Sequence, residues 1–456
     1  MVNRKLFLVL ILFLVPMLAN ATNGYFSHGH GLISKSLAGA GVAFPQDALA
    51  GATNPAGMAF VGNRFDIGAV LFKPDRHYSA GSSLANGNGG AFTIGPASVK
   101  SGDESFLIPS FGINYMLSNN DAIGLSVYGN GGLNTTYSGS SGSASFDPMG
   151  MGGAGVTFPG TFGAGTAGVD LFQIFFNFSY AHKFSENLSV GISPIFAVQG
   201  FRANGLGAFA GFTKTFNENL AATMMPTSPN NLDLTKNGQD YSYGGGVQVG
   251  ALARDVIGTV DFGISYRSKM YMGEFDDYAD LFAEDGDFDI PPTLWAGFAV
   301  DLTEKLTLVA DYQKIWYEDV DAVSNDIQNL FACSPTNVEN CLGGDNGGGF
   351  GWDNIDVIKV GLQWQTYPDV TMRFGYSHSD NPISSDQVLF NILAPGVIED
   401  HVTIGATIET QMGEFSLEAM HALHNSVKGA NAFDPTQEIR LKMNQFEIGA
   451  GWSKEF

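Results

Sequence analysis

From residue 62 to its end the chain repeats one pattern: stretches of about ten or more residues with apolar side chains at every second position, the period of a strand with one greasy and one wetter face. In VDLFQIFFNFSYAH, Phe172, Ile174, Phe176, Phe178 and Tyr180 share one face, while Gln173, Asn177 and Ser179 share the other. TLWAGFAVDL repeats it with Leu294, Ala296, Phe298 and Val300, and KLTLVADYQKIW with Leu306, Leu308, Ala310, Tyr312 and Trp316; Asp301, Asp311 and Gln313 take the opposite faces. Fourteen strands are expected, near 64–73, 105–117, 121–132, 170–184, 186–201, 240–254, 256–270, 292–302, 304–317, 353–366, 368–379, 399–411, 413–425 and 441–456. Alternation alone suits a soluble sandwich equally well.

The connections separate the two folds. Short turns such as LSNND, SEN, TEK, TYPD and QMGE alternate with seven long connections, among them 133–169, 202–239 and 318–352. A sandwich has no reason to sort its loops by parity, whereas an even-stranded outer-membrane barrel has short periplasmic turns and long outer loops. Closure also satisfies every strand hydrogen bond, as hydrocarbon demands. The reading is therefore all-β: a transmembrane antiparallel β-barrel of fourteen strands over residues 63–456. The chain ends MNQFEIGAGWSKEF, with Phe446, Ile448, Ala450, Trp452 and Phe456 on one face, an ending expected to be read by the barrel-assembly machinery.

Composition agrees with this. There are 59 glycines and 36 phenylalanines, only 15% of residues are charged, and no apolar run long enough for a spanning helix follows the leader. That leader, residues 1–21, sets Arg4 and Lys5 before an apolar run from Leu6 to Leu18 and a small Ala19-Asn20-Ala21 site, and reads as a secretory signal. Its removal leaves 20 basic against 45 acidic side chains, which argues against nucleic acid as a partner. Cys333 and Cys341, in an oxidising compartment, are expected to form a loop disulfide rather than a redox or metal site.

Residues 22–62 break the pattern. They are small and glycine-rich, with short helical possibilities around 31–40 and 45–52, and too poor in apolar bulk to fold alone. A fourteen-stranded lumen is too wide for its own side chains to fill, so this segment is assigned as a hatch inside it. There Asn54 caps a helical turn begun by Pro55, whose missing N–H costs nothing at that position, and continued by Ala56.

In SLAGAGVAFPQDALAGATNPAGMAF, ISYRSKM, PPTLWAGFAVDLTEKLTLVADYQKIWY and MRFGYSHSDNPISSDQVLFNILAPGVIEDHVTIGAT the sequence resembles the FadL family of outer-membrane transporters for fatty acids and other hydrophobic compounds. The resemblance implies a fourteen-stranded barrel blocked by an N-terminal hatch. It also implies an apolar groove among outer loops, an inner site, and sideways release where the third strand is kinked. In this chain Gly129, Asn130, Gly131 and Gly132 are the place for that kink, with the Asn-Pro-Ala element expected near it. Phe209, Phe212, Phe216, Leu220 and Met224 recur at helical spacing in one outer loop, facing Phe275, Tyr278, Leu281 and Phe282 of the next; together they are expected to form the groove, the alternative being that the two faces only pack on each other. By parity Arg267 and Lys359 point into the lumen, available to a ligand carboxylate or to ion pairs with Asp261 or Glu409. The function expected is passive uptake of a hydrophobic small molecule by a monomer in the outer membrane, with lipopolysaccharide and lipid around it, no cofactor and no metal.

Other signals are weaker. GMGGAG at 150–155 matches a dinucleotide-binding pattern but follows no strand and opens no helix. His28 with His30, and His421 with His424, lack further ligands at metal spacing; the first two are expected to line the hatch or lumen. A barrel lipase is the rival enzyme, yet the chain has no G-x-S-x-G, and no serine stands close to a histidine in a way that suggests a nucleophile. An open porin is disfavoured by residues 22–62 and by the apolar outer loops. The run GEFDDYADLFAEDGDFD, acidic with no base between, is a solvated loop or a holder of divalent cations.

Overall fold

The computed structural model describes residues 23–147, 152–223 and 232–456; the expected signal segment, Met224 and the first residues of GMGGAG lie outside them. Fourteen long strands form one closed sheet among the described residues: β1 Arg64–Ala80, β2 Phe106–Met116, β3 Asp121–Asn134, β4 Gly168–Ser185, β5 Leu188–Asn204, β6 Asp240–Ile257, β7 Val260–Arg267, β8 Thr293–Thr303, β9 Leu306–Ile315, β10 Ile355–Tyr367, β11 Val370–Ser379, β12 Asp400–Thr410, β13 Gly413–Asn431 and β14 Asp434–Glu455. Each is antiparallel to its neighbours, and β1 closes the barrel on β14, from Arg64 opposite Glu455 to Ala80 opposite Ile439. The side chains alternate as the sequence requires. In β4, Phe178 and Tyr180 are 50% and 44% exposed to the lipid side, while Gln173, Asn177 and Ser179 are buried inward.

One connection differs from expectation. Residues 426–440 are not a long outer loop: β13 and β14 continue to a tight turn at Ala432 and Phe433, with Asn431 paired to Asp434. Above the hydrocarbon a strand no longer needs an apolar outer face, so the alternation that marks strands disappears while the ladder persists. Its cross-strand pairs are polar there, as Lys428 with Glu438 at 3.2 Å. β1 likewise runs on to Ala80 and pairs with the short segment Ala97–Lys100.

The hatch fills the lower and middle bore. It carries the helix α1, Leu32–Ser36, and two 3-10 turns, Ala50–Ala52 and Pro55–Phe60. Asn54 caps the last of these as expected, accepting a 3.1 Å bond from the Ala56 N–H with Pro55 in the first turn. Polar wall groups hold this unit: Lys35 donates to Glu447 at 2.8 Å, Asp311 accepts from the Gly41 and Val42 amides at 2.7 and 2.9 Å, and Asp66 accepts from Ala48 at 2.8 Å. Inward-facing glycines let the hatch backbone lie directly on the sheet. A Cβ on Gly375 would stand 2.4 Å from the Ala38 nitrogen, and one on Gly191 2.4 Å from that of Ala56.

Above the hatch the wall changes character. Phe72, Phe106, Leu133, Leu171, Phe201, Leu441 and Met443 point inward and are buried. The inner face is therefore mainly apolar on the extracellular side, with Arg76 and Gln199 as buried polar exceptions there.

Candidate functional site

The outer loops and the apolar strand ends close around a narrow cleft with about 30 Å³ of free space. Phe201, Phe209, Leu281, Phe282, Phe350 and Phe390 form most of its wall, and almost nothing polar faces it. Phe209 comes from the 3-10 turn Gly207–Phe212, Phe350 from the β9–β10 connection and Phe390 from the β11–β12 connection. Phe201 meets Phe275, Tyr278 and Phe282 with ring centroids 5.6, 4.8 and 4.7 Å apart, so Phe275 and Tyr278 brace this wall from behind.

The structure thus divides the expected groove. Phe209, Leu281 and Phe282 line it. Phe212 lies outside, against Phe433 at 5.3 Å, and Phe216 and Leu220 are half-buried on the helix α2, Lys214–Thr223, away from the lining. A helical spacing identifies a face that packs, without saying against what. Phe350 and Phe390 escaped notice because they sit in irregular loops that carry no period.

Cys333 and Cys341 are bonded, as expected. The bond braces a segment whose next residue, Leu342, lines the cleft and is fastened to the Phe209 turn: Leu342 N–H donates to Phe212 O and Lys214 N–H to Leu342 O, both at 2.8 Å. Changing both cysteines to serine is expected to weaken binding of a hydrophobic probe roughly fivefold, about 1 kcal/mol of lost local order, and to leave barrel melting unchanged. Unaltered affinity in a fluorescence titration would remove this role.

The acidic run is not purely solvated. Lys214 pairs with Asp285 at 2.8 Å and Lys269 with Asp289 at 3.1 Å, while Asp280 accepts the Thr215 and Asp233 amides. Burial, then Asp289 and Glu284, push Asp287 up to about 7. No cluster among the described residues is arranged to hold a metal ion.

The third strand breaks where the glycines stand. In the β3–β4 ladder Gly129 faces Ile174 and Gly131 faces Gln173, so Asn130 is an extra, bulged residue. β2 and β3 pair only from Phe111 with Val127 down to Met116 with Ala122. Above that, Phe106–Ser110 and Tyr128–Asn134 part, leaving a seam in the wall among the described residues. Residues 23–27 form a strap across its inner side: Ser27 N–H donates to Asn130 O at 2.8 Å, Gly132 N–H to Tyr25 O at 2.9 Å, and Phe26 bridges Gly131. A side chain on Gly131 would collide with the Tyr25 carbonyl. The Asn-Pro-Ala element, expected at the kink, lies elsewhere. Asn54 donates to Ala251 O of β6 and Ala56 O accepts from Ser189 of β5, because glycines on those strands leave room for its backbone.

Arg267 is fully buried beside the bulge. It donates to Asn130 Oδ1 at 2.8 Å and to Thr293, and lies about 5 Å from the rings of Phe26 and Phe175 and 5.5 Å from Trp295. It has no carboxylate partner among the described residues, since Asp261 pairs with Arg254. Lys359 also avoids the ion pair considered for it, donating to His28 O at 2.8 Å.

A closed outer-membrane barrel with a lumenal hatch, an apolar outer cleft and a strapped wall seam is a channel for hydrophobic molecules. The family described as outer membrane protein transport protein (OMPP1/FadL/TodX) matches residues 27–409, and the chain belongs to it. A search of curated proteins found no match. Similar solved structures include the Pseudomonas putida toluene transporter TodX, 17% identical over 94% of this chain and 99% of that one (TM-score 0.62), and a Pseudomonas aeruginosa FadL homologue, 16% identical with the same coverage (TM-score 0.61). The Ralstonia pickettii toluene transporter TbuX is 15% identical over 94% of this chain and 99% of its own (TM-score 0.58).

Proposed function

We propose that the protein takes up hydrophobic small molecules passively, capturing them in the outer cleft and releasing them sideways through the β2–β3 seam once the strap moves. The parted seam beside the Asn130 bulge is the observation that carries this reading. A downward route is unfavourable for an apolar ligand, because the hatch lies across it and the space beneath is walled by Arg64, Arg373, Glu304 and Glu414. Sideways exit ends in hydrocarbon and never exposes the ligand to water. Each buried methylene contributes roughly 0.8 kcal/mol, so a continuous apolar route avoids a large desolvation barrier.

Aromatic hydrocarbons, named for two of the similar structures, and fatty acids both fit such a path. Arg267 separates them, since a buried cation without a carboxylate favours an acidic head group. Uptake of a long-chain carboxylate and of its parent hydrocarbon by cells with and without the gene tests the function. Arg267→Met is expected to lower carboxylate uptake about tenfold, the equivalent of about 1.4 kcal/mol, and to spare the hydrocarbon. Equal uptake of the carboxylate by both proteins would sink the head-group role.

An enzymatic reading has one observation behind it: Ser377 Oγ lies 3.2 Å from His401 Nδ1. Both are fully buried against the hatch, and His401 Nε2 has no partner to orient it, which argues against a triad. A phospholipid hydrolysis assay on the purified protein is expected to show none. Insertion by the barrel-assembly machinery and contact with lipopolysaccharide complete the proposal.

A further inference from the structure

The cleft and the seam are joined by a short chain of specific contacts. Asn391 follows Phe390 of the cleft wall, and its amide donates to Phe350 O at 2.6 Å and to Gln387 O at 2.7 Å, holding both wall residues together. Its side-chain oxygen accepts a 2.6 Å bond from the Trp352 indole N–H. Trp352 stands edge-on to Tyr317 at 5.2 Å and lies 5.9 Å from Tyr25. The Tyr317 hydroxyl donates to Asn23 O at 2.6 Å and accepts from the Tyr25 N–H at 3.2 Å. A Cβ on Gly24 would lie 2.6 Å from that hydroxyl and 2.9 Å from Trp352, so the strap is gripped on both sides. Tyr25, Phe26 and Ser27 are the residues that cover the bulge.

We propose that Trp352 and Tyr317 are positioning residues that transmit occupancy of the outer cleft to the strap, so that the seam opens when ligand is present and stays shut when it is not. Neither lines the cleft or touches the seam. A ligand that separates Phe350 from Phe390 must shift Asn391, whose three hydrogen bonds are short and buried. The indole follows because its only donor is committed to Asn391. Trp352 and Tyr317 share a packed ring contact, and Tyr317 holds two backbone groups of the strap at once. The same connection is hooked to the top of β3, where Thr135 donates to Leu393 O at 2.7 Å and Tyr137 to Ile392 O at 2.9 Å. Displacement of the cleft wall therefore pulls on both edges of the covered bulge, and packed contacts of this kind switch between discrete arrangements instead of stretching. Coupling serves the passive route because an empty seam that opened freely would leak.

This inference rests on the proposed function, and its test separates the two. The sequence has two cysteines, both in the disulfide, so Ser27→Cys supplies a single reactive thiol beneath the seam. In detergent-solubilised full-length protein, maleimide labelling of that thiol is measured with and without a saturating hydrophobic naphthylamine dye, whose fluorescence also reports binding. With native Trp352 and Tyr317, dye is expected to accelerate labelling several-fold. Trp352→Phe, which keeps an aromatic ring but loses the pyrrole with its N–H, and Tyr317→Phe, which loses only the hydroxyl, are each expected to bind dye with unchanged affinity while labelling no longer responds. Dye-dependent labelling that persists in both variants overturns the relay and leaves the transport reading standing. Failure of the native protein to bind the dye or a fatty acid overturns the transport reading, and the relay with it.

Discussion

Leucines at Gly375 and Gly191 together are expected to unseat the hatch and leave a folded, leaking barrel. A side chain on Gly375 would begin 2.4 Å from backbone atoms of Leu37 and Ala38, and one on Gly191 2.4 Å from those of Pro55 and Ala56. Backbone cannot rotate out of the way as a side chain does. Overpacking costs typically about 1–3 kcal/mol per site, comparable with the roughly 1.5–3 kcal/mol of each bond to a charged group, such as those of Lys35, Asp311 and Asp66, that holds the hatch, so two clashes together offset about two such anchors. The two strands stand on facing walls, so a shift that relieves one clash worsens the other. Strand pairing is untouched because both positions face the lumen. Planar-bilayer conductance and cell sensitivity to large polar antibiotics are both expected to rise well above native levels, with heat-dependent migration showing an intact barrel. A folded double variant that stays non-conducting would remove the hatch as the element that closes the bore.

The same glycines explain how far the sequence could be read. Strand number, parity and the sorting of turns were legible because lipid imposes a period of two on every spanning segment. The hatch was legible by contrast, as a stretch too small-sided to be anything else, and the Asn54 cap by local chemistry alone. What the sequence did not disclose was long-range. Glycines in β5 and β11 look like weak strand residues until the hatch backbone is seen lying on them. The bulge at Asn130 followed from its flanking glycines, but its cover, the strap at Tyr25 to Ser27, lies about a hundred residues earlier with no periodic signal. The apolar upper lumen was not legible because its inward residues have neighbours of mixed kind, Leu71 and Lys73 beside Phe72, Asp170 and Phe172 beside Leu171, and Arg440 and Lys442 beside Leu441, so the period does not say which face is inward. Phe212 and Phe216 share a helical period with Phe209, but periodicity names a packed stripe without naming its partner, and Phe212 packs on Phe433 while Phe216 is half-buried on α2.

That distinction sets up the second large effect. Aspartate at Phe209 or at Phe282 is expected to abolish most uptake, while aspartate at Phe212 is expected to change it little. Phe209 meets Phe390 at 5.1 Å and Phe282 meets Phe201 at 4.7 Å, so each is a shared panel of the cleft wall. A ligand of benzene size buries on the order of 150 Å² there, worth about 4 kcal/mol at 25 cal/mol per Å². Losing half of that contact costs about 2 kcal/mol, roughly thirtyfold in affinity. The carboxylate adds to this, because an ionised group in an apolar wall stays charged only by drawing water into the space the ligand needs. Phe212 instead packs on Phe433 at the outer surface, where a carboxylate is readily hydrated. Initial uptake rates of a labelled hydrophobic tracer, normalised to surface-exposed folded protein, distinguish the positions. Equal loss at Phe209 and Phe212 would mean that capture begins on the outer face of the loops; no loss at either Phe209 or Phe282 would show that ligand enters without occupying this cleft at all.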